Sequence, residues 1–142
     1  MLRLVVVWLH LVAAVAWVGG VLYASHLVVP AVVRGTRDAL PLLARGRAVA
    51  WTALAILVVT GLENLRPVQL VSPWLAAKLV VVLALLALAA HRDFAALPRA
   101  VRAVEAGAEP AAALSGVRML DRVVLLLALV VLFLAVGVTR GR

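Results

Sequence analysis

Between Arg3 and Arg34 the chain carries no formal charge, and two imidazoles, His10 and His26, interrupt an apolar run from Leu4 to Val33. About 20 such residues already cross the hydrocarbon core of a bilayer, so this run predicts a membrane-spanning helix. Ionisable groups inside such a helix are costly and are read as functional positions by default. The two histidines are therefore the first question the sequence raises.

The rest of the chain belongs to the same class. Of 142 residues, 67% are hydrophobic and 14% charged, against about 25% charged in a soluble domain. One domain over residues 1–142, embedded in lipid, is the expectation. The absence of cysteine removes disulfides, thiolate metal sites and thiol redox chemistry. The net charge of +8 could suggest nucleic acid, but the arginines crowd into two loops between apolar runs, a topological pattern rather than a footprint for DNA. The first apolar run is too long for a secretory leader and lacks a small-residue cleavage site, so it reads as retained.

Four spans are predicted, at about 4–33, 48–65, 74–91 and 121–139. Nothing alternates with the period of a barrel strand. The fold class is all-α, an integral membrane four-helix bundle running up-down-up-down. Arg34, Arg37, Arg45 and Arg47 occupy the first loop, and Arg92, Arg99, Arg102, Arg118 and Arg122 the third. Arg3, Arg66, Arg140 and Arg142 lie on the opposite side. The excess places both arginine-rich loops in the cytoplasm and both termini outside, in a multi-pass protein of the cytoplasmic (inner) membrane. Pro67 and Pro73 bracket the turn after the second span, and the segment 95–120 reads as a short surface helix in the cytoplasmic loop. No internal repeat stands out.

At 1.5 Å per residue the two histidines of the first span are roughly 24 Å apart and on nearly opposite faces, so they serve separate environments. Towards the outer side, His10 shares a face with Trp17, and Gly19 and Gly20 leave room for a neighbouring helix or a flat cofactor. Lys78 enters the third span at comparable depth, and Glu63, Asn64 and Arg66 close the second on the same side. These residues could form one polar patch, or Lys78 could simply snorkel outward beside a polar helix end. On the inner side His26 and His91 approach the same surface. They form either a bis-imidazole site or two separate structural histidines. Trp8, Trp51, Trp74 and Tyr23 read as interface belt or packing. Asp38, Asp93 and Asp121 read as loop or helix-end residues, leaving Glu63 as the carboxylate placed to carry protons.

Three histidines, no cysteine and only Met1 and Met119 suit haem iron, Cu(II) or zinc better than Cu(I). Haem b is attractive because its apolar rim dissolves in a bundle core while its propionates need basic partners. The candidate metal ligands are His10, His26 and His91, with Trp17 and Lys78 as further cofactor-site residues.

Trp8-Leu9-His10, Trp17-Val18-Gly19-Gly20, Val59-Thr60-Gly61-Leu62 and Trp74-Leu75-Ala76-Ala77-Lys78-Leu79 together resemble the copper-resistance protein D family of membrane domains. The resemblance covers roughly Trp8 to Arg92. It implies a four-helix core and a role in copper uptake or handling. Around His10 to Tyr23 the chain also looks like the bacterial membrane-bound protoporphyrinogen oxidase family, which implies haem b on the first-helix histidine. The resulting expectation is a membrane-embedded haem b- or metal-binding protein for electron transfer or haem and copper handling. Copper transport, and a haem-dependent oxidase of a porphyrinogen or quinol, are the alternatives. The expected partners are the lipid bilayer, a second copy of the chain, and a redox or metal-delivery protein.

Overall fold

The computed structural model describes residues 1–65 and 73–140, without the side chains of residues 37 and 138–140. Arg66, Pro67 and Arg142, and the side chains of Arg37 and Arg140, therefore lie outside the described residues. Apart from residue 1 and short turns at 34–36, 106–109 and 114 the described chain is helical, with four helices long and apolar enough to cross a membrane: Leu2–Val33, Leu40–Leu65, Pro73–Glu105 and Ser115–Gly137. The last continues as helix to Arg140. Large apolar side chains such as Leu11, Val15, Val59, Leu83, Leu126 and Phe133 are exposed along them. A surface of this kind needs lipid, and this is a multi-pass membrane protein.

The first and second spans pack along each other, as do the third and fourth, and the first also touches the fourth. Trp17 and Val21 meet Ala53, Leu54, Leu85, Ala89 and Val124, so residues of all four spans share one core. A second core gathers at the arginine-rich end, where Val29 and Val32 meet Leu97, Val104, Leu114 and Val117.

That second core changes the reading of the segment 95–120. The third helix does not stop at His91. It passes through a π-turn at Arg92–Ala96 and runs on to Glu105, with Leu97, Ala100 and Val104 buried. The fourth helix already begins at Ser115. Residues 97–105 thus extend a span and bury an amphipathic face against protein, rather than lying as a separate surface helix. The second helix likewise starts at Leu40, eight residues before the apolar run that announced it.

The two halves share a pattern that the sequence hides. The first span carries a π-turn at Ala24–Val28 followed by Pro30, and the third carries one at Arg92–Ala96 followed by Pro98. The cause is the same in both. Proline has no N–H and its ring crowds the carbonyl four residues back, so the helix widens by one residue instead of breaking. Each helix then ends on a left-handed glycine, Gly35 at φ 101° and Gly107 at φ 94°. Matching backbone bonds close the two ends, from Thr36 to Ala31 and from Ala108 to Ala103, in the manner of a Schellman cap. A 26-residue helix completes each half. Helix interruption, cap and return helix therefore recur, although the two sequences are not visibly alike.

Candidate functional site

The first site lies at the end of the bundle that carries both chain termini. The Nδ1 of His10 is 2.8 Å from the Thr60 hydroxyl, which in turn lies 2.6 Å from the carbonyl of Ile56 in its own helix. A threonine hydroxyl has one proton, and the shorter bond commits it to Ile56. Thr60 and the Leu57 carbonyl then both face the ring as acceptors, and with Nδ1–H donating to Thr60 the lone pair of His10 is on Nε2. This is the usual arrangement behind a ligating histidine, in which a partner on one ring nitrogen orients the other. Thr60 is 7% exposed, so water does not compete for it. Gly61 borders the ring, since a Cβ there would stand 3.5 Å from His10 Cε1.

Lys78 is half-buried in the third span and lies within electrostatic reach of the ring. His10 stands as far before Pro30 as Lys78 stands before Pro98, 20 residues in each half, so the two occupy matching places in the recurring pattern. Trp17 sits deeper, 4% exposed in the four-helix core, and is a packing residue at the level of the inner cavity. Gly19 and Gly20 face open space, with nothing within 4 Å of an added Cβ, so they bring no helix of this chain close. At this end Gly61 meets the first helix at His10, and Gly137 meets the third more tightly, where a Cβ would fall 2.7 Å from the Trp74 ring. Glu63 is exposed and Asn64 half-buried.

The contacts of His26 fit the reading of a structural histidine bonded to a backbone carbonyl. His26 is exposed and turns back on its own helix, with Nδ1 2.7 Å from the Ser25 hydroxyl and 3.2 Å from the carbonyl of Leu22. His91 is also exposed. Among the described residues no group of three histidine or carboxylate side chains could hold a metal ion.

What the sequence reading missed is a charged cluster at the arginine-rich end. Asp93 and Asp121, taken as loop or helix-end residues, are 4% and 1% exposed inside the bundle. Arg92 lies between them, with Nε donating to Asp121 Oδ1 at 2.8 Å and Nη1 to Asp93 Oδ1. Trp51 Nε1 donates to Asp93 Oδ2 at 2.9 Å. The π-turn explains the remaining contact. The Leu97 N–H reaches back to the Arg92 carbonyl, so the Asp93 carbonyl would need the N–H of residue 98, which is a proline. Arg47 Nη1 supplies that missing donor at 3.3 Å. Arg47 also sits 5.6 Å from the Phe94 ring, which packs at 5.0 Å on Trp51. The cluster ties the second span to the third and the third to the fourth. A signal was available in the sequence: His91-Arg92-Asp93 followed within five residues by Pro98, with Asp121 as the lone acid between Arg118 and Arg122.

Beside this cluster lies a cavity of about 360 Å³, walled by both π-turns and by the second and fourth spans. Compared with known proteins, the chain matches no family model, no curated relative and no solved structure.

Proposed function

We propose that this chain is a haem b-binding membrane protein that holds the iron through His10 and serves electron transfer or haem handling. The observation that carries this is the His10–Thr60–Ile56 chain of hydrogen bonds, which puts the Nε2 lone pair inside an apolar span. Haem iron needs only one or two axial protein ligands, whereas a bare copper or zinc ion needs three or four donors gathered together. The described donor set favours the former. Lys78 would be the cationic group available to pair with a propionate or, as could a residue of a second copy, to help His10 hold the iron. When bound, haem would supply a one-electron couple. His10 would fix the iron, and Thr60 would keep the imidazole in the ligating tautomer.

The resemblance to copper-resistance protein D domains supports a shared four-helix core, and copper handling is the second reading. Oxidation of a porphyrinogen or quinol would be a step beyond binding, and complementation of a strain lacking that oxidase tests it. The arginine distribution supports a cytoplasmic-membrane protein with its arginine-rich end inside.

The test is one absorption spectrum of protein purified from membranes after expression with haem supplied. A Soret band that shifts on reduction is expected, and His10→Ala should abolish or displace it. A colourless preparation, or a spectrum indifferent to His10→Ala, overturns the assignment. Protein that returns copper and no haem favours the copper reading.

A further inference from the structure

We infer that the cavity at the arginine-rich end is a groove that holds one anionic phospholipid, its phosphate at Arg45 and Arg47 and an acyl chain along the first and second spans. The cavity opens sideways between those spans, because Ala16, Gly20 and Tyr23 on one rim and Gly46 and Val49 on the other are exposed. An apolar opening at hydrocarbon depth is filled by lipid, since no water is present there. From Ala16 to Val28 the groove follows about 18 Å of helix, against about 15 Å for one leaflet of hydrocarbon. Its volume of about 360 Å³ lies in the range of small-molecule sites, and Trp17, Val21, Ala50 and Val124 give it an apolar floor.

The charge at one end of the groove selects the headgroup. Arg45 and Arg47 stand directly before the charge-free stretch Ala48–Leu62, at the depth where a span passes from acyl chains to headgroups. Tyr23, on the helix packed against them, belongs to the same level. Arg45 is exposed and makes no hydrogen bond or ion pair among the described residues. Arg47 uses only Nη1, on the Asp93 carbonyl. The cavity wall sets Arg45, Arg47 and Arg92 against Asp93 and Asp121, and both carboxylates are already held by Arg92. The wall therefore carries an excess of one positive charge, at the end that meets the headgroups. A phosphodiester with a single negative charge neutralises that excess, and guanidinium groups suit phosphate oxygens in shape as well as charge. A zwitterionic phospholipid would bring a cationic amine to the same arginines. A small soluble anion would leave the apolar groove empty.

The experiment places the full chain in nanodiscs of equal parts phosphatidylglycerol and phosphatidylcholine with matched chains. Native mass spectrometry then counts the lipids that stay on the protein. One phosphatidylglycerol per chain should be retained about fivefold over phosphatidylcholine, the weight of one arginine at a membrane surface. Arg45→Gln should remove that preference without moving the melting temperature, since Arg45 bonds to nothing in the described chain. Arg122→Gln removes an equal charge from the same end but outside the groove, and should leave the preference intact. Gly20→Leu, at a groove position where an added Cβ meets nothing within 4 Å, should lower retention of both lipids while the far-UV spectrum stays helical. Equal retention of the two lipids overturns the inference, as does a preference that survives Arg45→Gln or is lost as fully in Arg122→Gln. Retention unchanged in Gly20→Leu overturns it as well.

Discussion

Thr60 acts on His10 through a proton that it has already given away. Because its hydroxyl donates to Ile56, it can only accept from the imidazole, and that single commitment decides which ring nitrogen carries the lone pair. Thr60→Val keeps the volume and removes the acceptor, so haem occupancy should fall by about 10–100-fold with the helix intact, the usual effect of losing the partner behind a ligating histidine. Titration of the purified apoprotein with haemin measures it, and unchanged affinity would mean that Thr60 does not set the tautomer. The charged cluster responds differently. Asp121→Ala leaves Arg92 buried with half its partners and should destabilise the protein by about 3–5 kcal/mol, whereas Asp121→Leu combined with Arg92→Met and Asp93→Asn, which leaves no buried charge and keeps an acceptor for Trp51, should cost far less. Thermal unfolding in detergent compares them, and equal losses would show that packing rather than charge is decisive. His10 and Lys78 were legible because charge is rare in an apolar run. Asp93 and Asp121 were not, because they sit among arginines, where a wet helix end reads the same as a buried cluster.

At the scale of elements, the prolines govern the geometry. Pro98 is responsible for the π-turn, and the extra residue rotates the helix before it by about 100° relative to the helix after it. That rotation turns Arg92 and Asp93 towards Trp51 and Asp121. Pro98→Ala restores the missing N–H and would ordinarily strengthen a helix by about 3 kcal/mol. Here it should instead lower the melting temperature and shift Trp51 fluorescence, because the cluster is lost with the bulge. A rise in melting temperature with unaltered emission would contradict this. The length of the charge-poor apolar runs located all four helices. It stopped the third too early because a proline and three polar residues together look like an ending. Whether a helix ends or widens at such a point depends on donors such as Arg47 from another element, which no local pattern reveals.

For the whole molecule, the heavy contacts run within the first pair of spans and within the second, while the bonds of Trp51 and Arg47 to Asp93 and the shared core hold the pairs together. Fragments 1–69 and 70–142 produced as separate chains should therefore co-purify, and Trp51→Phe should weaken their association. Failure of the unaltered fragments to associate would show that the covalent link is needed for assembly. At the other end of the bundle, Gly137→Ala drives a methyl group into the Trp74 ring and should cost about 1–3 kcal/mol by overpacking.

The first and third helices run for 32 and 33 residues, which is about 48–50 Å of α-helix. A bilayer offers about 30 Å of hydrocarbon. With Arg34, Arg99 and Arg102 all at one end, the excess projects from that face. The excess of about 18–20 Å over the hydrocarbon passes through the headgroup layer on that side, so the core of Leu114, Val117 and the residues packed on them stands outside the acyl chains and gives this face a shape that soluble molecules meet first.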